Sequence, residues 1–155
     1  MCYSAQIWAD YRKFTKVFGA IMDVREFVRV FWERVEGAKI KIPKAMEAAF
    51  ADPQTEQERQ IQSLIVAYGA DQASTTEQEL FKQTKRLADA ERTLKSKTTK
   101  AATESKRIAV DKVEKAKGKL ADLRRTRLEP RDSRIFPGNY APVMRTSRLV
   151  PELST

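Results

Sequence analysis

The sequence predicts a mainly α-helical chain, and two patterns carry that expectation. From Glu77 onward it is rich in Lys, Glu, Ala, Arg and Leu, with Leu80, Leu87, Leu94, Ala101 and Ile108 recurring every seven residues. A second row, Phe81, Ala88, Ala102, Ala109, Ala116 and Leu123, lies beside it with Lys95 as a gap. Such a repeat is the signature of coiled-coil-like helix pairing. In the first forty residues, aromatic and aliphatic side chains recur instead at the one, three and four spacing of an amphipathic helix.

Ile7, Trp8, Tyr11, Phe14 and Phe18 define a first helix that begins just after Cys2 and that Gly19 is suited to end. Asp23 and Glu26 resemble a capping box, and Phe27, Val28, Phe31, Trp32 and Val35 supply one apolar face up to Gly37. The two aromatic faces are expected to form a hydrophobic core rather than a base-stacking platform. Lys39 to Pro43 alternates charge with Ile40 and Ile42, so it reads as a short strand or extended link, and a short helical pattern follows from Lys44 to Ala51.

Asp52-Pro53 marks a boundary, because a residue before proline is pushed out of the α region. Ile61, Leu64, Ile65 and Tyr68 then form the face of another helix, which Gly69 and the polar stretch to Thr76 are expected to interrupt. Within the basic segment, acidic residues precede basic ones by three or four positions, as in Asp89 to Arg92, Glu91 to Lys95, Asp111 to Lys115 and Glu114 to Lys117. The strip around Thr98, Thr99 and Thr103 has the weakest helix propensity and is the expected tip of a hairpin. One unbroken helix over 77–127 would instead span about 75 Å. After Pro130 the helical pattern stops, and residues 131–144 read as an extended segment entering a loop held by Pro137, Gly138, Asn139 and Pro142. The expected division is therefore 1–52, a basic helical insertion over 53–130, and 131–155.

Charge separates the same parts. Formal net charge is +9, with 30 Lys and Arg against 21 Asp and Glu. Residues 77–130 contribute 16 basic and nine acidic side chains, whereas residues 1–76 are balanced. A basic helical arm can follow a phosphate backbone, or it can be a solvated insertion whose lysines do little. The single cysteine excludes an internal disulfide framework, and the absence of histidine removes the commonest general base and imidazole ligand. No metal site and no cofactor are expected. No apolar run is long enough to span a bilayer, and no secretory signal pattern is present, so a cytoplasmic location without membrane association is the expectation.

Cys2, directly after the initiating methionine, has two readings. A lone cysteine is commonly a small buried hydrophobe. With Met1 removed, however, Cys2 carries an α-amine of pKa about 7.7 to 8.0 beside a thiol of about 8.5. This 1,2-aminothiol can condense with an aldehyde, the amine forming an imine that the thiol closes to a five-membered ring.

Met1-Cys2, the aromatic helices and Pro137-Gly138-Asn139-Tyr140-Ala141-Pro142-Val143 together resemble the N-terminal portion of the SOS-response-associated peptidase (SRAP) family. The resemblance is to members with a long helical insertion between the catalytic cysteine and an Asn-x-Ala-Pro loop. It implies the N-terminal part of a mixed α/β domain with a β-rich core, acting in the DNA-damage response on single-stranded DNA with abasic sites. It implies that Cys2 is the nucleophile, that it forms a thiazolidine cross-link with the ring-opened sugar, and that Asn139 shapes the DNA-binding wall with Ala141 and Pro142 holding the loop. Arg134 and Arg145 flank the loop and are expected to contact phosphates, on charge and proximity. The family pattern also has a later Asn-Ala-Arg asparagine, a glutamate and a histidine. Thirteen residues follow Pro142 and none is histidine, so the chain is expected to be a truncated portion with impaired activity. The alternative is a non-enzymatic basic helical module that binds nucleic acid or protein.

Overall fold

The computed structural model describes residues 5–6 and 24–141. These are mainly helical. In chain order they form β1 (Ala5–Gln6), α1 (Val24–Val35), α2 (Lys44–Ala48), α3 (Glu56–Ser96), α4 (Lys100–Arg124), a 3-10 turn (Pro130–Ser133) and β2 (Arg134–Ile135). The chain splits into two compact units, Met1–Ile61 with Glu129–Thr155, and Gln62–Leu128. The junctions therefore fall at 61/62 and 128/129, compared with the 52/53 and 130/131 read from the sequence.

In the first unit, α1 ends as glycine dictates. Gly37 adopts φ of +101°, its N–H donates to the Arg34 carbonyl, and the Ala38 N–H donates to the Glu33 carbonyl. This is the paired-bond Schellman ending, which needs a left-handed residue that glycine adopts without strain. The buried face of α1 is Phe27, Val30, Phe31 and Arg34, one and two turns apart. The expected face of Phe27, Val28, Phe31, Trp32 and Val35 is thus corrected: Trp32 is 52% exposed. The rotation follows from a polar residue in the core. Arg34 donates through Nη1 to Glu47 Oε1 of α2 at 2.6 Å, and its guanidinium lies 5.2 Å from the Phe31 ring centroid. Hydropathy alone does not assign an arginine to that position.

Around this pair, Phe50 meets Phe27 and Phe31 with ring centroids 5.9 Å apart in both cases, and Ala45 and Met46 of α2 are buried. Tilted and edge-on pairs of this kind contribute roughly 0.5 to 1.5 kcal/mol each beyond burial. Two strands close the unit. β1 pairs antiparallel with β2, Ala5 opposite Ile135 and Gln6 opposite Arg134, and Lys41 forms a parallel bridge with Asn139.

α3 starts with a capping box. The Glu58 N–H donates to Thr55 Oγ1 while Glu58 Oε2 accepts from the Thr55 N–H, and it also accepts from the Gln54 N–H at 2.6 Å. The helix then runs through Gly69 without a break, correcting the interruption expected at 69–76. A glycine in a helix costs about 1 kcal/mol, which packing along the rest of α3 exceeds. Thr76 keeps its buried hydroxyl satisfied by donating to the Gln72 carbonyl.

In the second unit, the helical segment of α3 from residue 62 and α4 form an antiparallel hairpin with its turn at residues 97–99. Ser105 accepts from Arg86, Lys106 pairs with Glu91, Lys112 with Glu79, and Lys119 donates to Gln72. From residues 105–106 to 119 of α4 the partners shift from 86–91 to 72 on α3, the antiparallel order. Thr99 caps α4 by accepting from the Ala102 N–H. The seam is built from small and polar residues at sevenfold spacing, Thr76, Gln83 and Ala90 on α3 against Ala102, Ala109 and Ala116 on α4, with Val113 and Leu120 beside them. The second sevenfold row is therefore split: its α4 half is seam, but Phe81 is 75% exposed and Ala88 is exposed. A heptad count carried through residues 97–99 loses its phase where the chain reverses. The reversal also redirects Glu91, which pairs with Lys106 across the hairpin at 3.1 Å and not with Lys95 along the helix.

Breaking the Arg34 pair tests the core. Glu47→Ala removes the carboxylate that Arg34 meets at 2.6 Å and is expected to destabilise the first unit by about 1.5 to 3 kcal/mol, the range for a hydrogen bond to a charged group, read from the urea unfolding midpoint. A change below about 1 kcal/mol would contradict a buried, paired Arg34.

Candidate functional site

The turn that carries Asn139 is fixed by its own sequence. Pro137 and Gly138 occupy the two central positions, Gly138 has φ of +85°, and the Asn139 N–H donates to the Phe136 carbonyl at 3.0 Å. That is a type II turn, which favours proline first and requires a left-handed residue second. Immediately after it, the Tyr140 N–H donates to the Lys41 carbonyl at 2.7 Å. The 38–43 link therefore anchors the loop from the other side.

Tyr140 locks the loop to α1. Its half-buried ring meets Phe27 edge-on, with centroids 6.2 Å apart. Burial raises the phenol above its ordinary value, the Glu26 carboxylate raises it further, and Arg29 opposes them.

Of the sequence-predicted site residues, Arg134 and Asn139 are described, and Cys2 and Arg145 lie outside the described residues. Arg134 is exposed on β2 opposite Gln6. Asn139 is half-buried, and its side chain makes no hydrogen bond to another described residue. Two neighbours were missed by sequence reasoning. Lys41 is exposed and bridges to Asn139 through the backbone, and Phe136 is 50% exposed two residues after Arg134. In extended chain, that spacing puts Arg134 and Phe136 on one face. The charge alternation at Lys39 to Ile42 was the available signal for Lys41. Nothing in the sequence distinguished Phe136 from a core aromatic.

The local chemistry is cationic and hydrogen-bonding, with an exposed ring and an amide side chain at a rigid turn. Among the described residues, no group of three or more His, Cys, Asp or Glu is arranged to hold a metal ion, and no helix is long and apolar enough to cross a membrane. Comparison with protein-family models, with curated proteins and with solved structures gives no match.

Two outcomes check this geometry. Gly138→Ala meets no neighbouring atom within 4 Å, so its cost is that of the left-handed backbone, about 1 to 2 kcal/mol; an unchanged thermal midpoint would contradict the turn. For Tyr140, the folded-state pKa lies above the unfolded one, so its stabilisation is complete below the unfolded value near 10 and is lost as pH rises through the folded value. The phenolate absorbance difference between the wild type and Tyr140→Phe should titrate above the ordinary tyrosine range. A midpoint at or below that range contradicts the packing on Phe27.

Proposed function

We propose that this chain is an SRAP-type trap for abasic sites in single-stranded DNA, acting in the DNA-damage response through Cys2 after loss of Met1. The observation that carries the reading is the β1–β2 pairing. Chain length alone keeps the Cα of Cys2 within about 11 Å of that of Ala5, and Ala5 pairs with Ile135, four residues before Asn139. A nucleophile at position 2 is thereby tethered to the strand that leads into the Asn-x-Ala-Pro loop. The reading thus joins two regions more than 130 residues apart in sequence in one site.

The chemistry balances without an oxidant or a metal. The Cys2 amine adds to the aldehyde of the ring-opened sugar, and loss of one water gives an imine. The thiol then adds across the C=N bond, its sulfur to carbon and its proton to nitrogen, closing a thiazolidine. Near neutral pH a fraction of the amine is unprotonated and a fraction of the thiol ionised, so the aminothiol supplies its own nucleophiles. Arg134 and Lys41 are suited to phosphate contacts, which position a strand without reading its sequence. Phe136 offers a face on which a base can stack, and the Asn139 amide offers donors and an acceptor to the sugar or base.

Incubation with single-stranded DNA carrying one abasic site, followed by intact-mass measurement, tests the proposal. The expected product has the mass of the protein without Met1 plus the DNA, less one water, and Cys2→Ser abolishes it. Protein shown to lack Met1 that gives no such adduct would overturn abasic-site trapping by this chain.

A further inference from the structure

The hairpin does not spread its charge evenly. Residues 82–107, which include the turn, hold nine Lys and Arg against three Asp and Glu, whereas the rest of Gln62–Leu128 holds seven against six. The reversal at 97–99 thus gathers a net +6 at one end of the unit and leaves +1 at the other. All three acids at the turn end are engaged: Asp89 by Arg92 at 3.1 Å, Glu91 by Lys106 at 3.1 Å and Glu104 by Arg107 at 2.6 Å. Lys82, Lys85, Arg86, Lys95, Lys97 and Lys100 have no carboxylate partner among the described residues.

Geometry adds a track. An open groove of about 500 Å³ runs between the helices here, lined by Lys82, Lys85, Arg86 and Asp89 and by the hydroxyls of Thr93, Thr99 and Ser105, with alanines as its floor. The N-terminus of α4, capped by Thr99, contributes a partial positive charge to the same groove. One turn before Lys85 on α3, Phe81 is 75% exposed.

We propose that this turn end of the hairpin binds the phosphate backbone of single-stranded nucleic acid, with Lys82, Lys85 and Arg86 in the groove and Lys95, Lys97 and Lys100 extending the contact around the turn. Three observations select this ligand among anionic partners. The alanine floor has no pocket for the aromatic or aliphatic anchor that dominates protein interfaces, so an acidic protein would gain little beyond charge. The turn itself, Lys97-Thr98-Thr99, is wholly polar and has nothing to bury in a lipid surface. Phe81 beside the cations suits an unpaired base, which offers its face for stacking while the lysines follow its phosphates. The contact is sequence-independent, because phosphate oxygens carry no base information.

This surface does not depend on Cys2, so it is tested in the full chain bearing Cys2→Ser and with an undamaged strand. Anisotropy of a fluorescein-labelled oligothymidine is measured against salt concentration. Each single-strand phosphate contact contributes about 0.7 to the slope of log affinity on log salt. The triple variant Lys82→Gln/Lys85→Gln/Arg86→Gln should therefore lower the slope by about 2 and weaken binding roughly tenfold or more at low salt. The control Lys115→Gln/Lys117→Gln/Arg127→Gln removes the same formal charge from the other end and should weaken binding less than about threefold, with equal far-ultraviolet circular dichroism confirming the fold of both. Phe81→Ala should weaken binding about fivefold or more, by loss of stacking, with the slope unchanged. Absence of binding, equal losses from the two triple variants, or competition by polyglutamate or phosphatidylserine vesicles as effective as that of unlabelled oligothymidine would each overturn the proposal. Equal affinity for a duplex together with a silent Phe81→Ala would overturn the single-strand assignment. Loss of abasic-site adducts leaves this result untouched, and the reverse also holds.

Discussion

The pairing of residues 5–6 with residues 134–135 is the constraint from which the rest of the first unit follows. A ribbon of two residues per strand has few hydrogen bonds and is not stable alone, so other groups must hold it in register. The Lys41 to Asn139 bridge, the Tyr140 N–H bond to the Lys41 carbonyl and the edge-on Tyr140 to Phe27 contact perform that task. Through Phe27 the ribbon is connected to Phe50, Phe31 and the buried Arg34 to Glu47 pair. These contacts form one continuous series from the Asn139 turn to the Arg34 pair.

The intervening helices answer a different demand. Because the strand partners are so distant in sequence, the residues between them have to depart and come back, and an antiparallel hairpin accomplishes this with locally satisfied backbone groups. Its seam specifies alignment by mixed means. Alanines at 90, 102, 109 and 116 provide little volume for selecting a register, while Thr76 and Gln83 are polar groups buried in the same line. Gln83 donates to Glu79 at 2.9 Å, and a polar residue in a helical seam sets register at some cost in stability.

Much of the helical content was legible because it rests on local rules. The Gly37 ending, the short helix after Pro43 and the Pro137-Gly138 turn each express a backbone preference of one or two residues. What the sequence concealed depends on distant partners. The α1 face was misread because Arg34 takes a core position only when Glu47 is opposite it, and Gly69 was read as a break because the surrounding helix outweighs a single unfavourable residue. Only half of the ribbon was legible: residues 134–135 fell within the segment read as extended, whereas residues 5–6 pair as a strand where a helix was expected to begin just after Cys2, because two residues cannot show a period of two. For the site, Asn139 and Arg134 were visible as a motif and a flanking charge, while Lys41 and Phe136 became visible only once the 38–43 link lay beside the turn.

The alanine seam has an electrostatic consequence. Helices in contact through small side chains approach toward the short end of the usual 8 to 10 Å interaxial range, about one Debye length at 0.1 M salt. Cations on α3 and α4 near the turn therefore feel one another directly, with their local acids already engaged. Added salt relieves that self-repulsion while it weakens attraction to any polyanion. Hairpin cohesion and attraction to a polyanion thus respond to ionic strength in opposite directions: dilute buffer, which strengthens such attraction, is also where the turn end is under its greatest self-repulsion, which neighbouring counterions relieve.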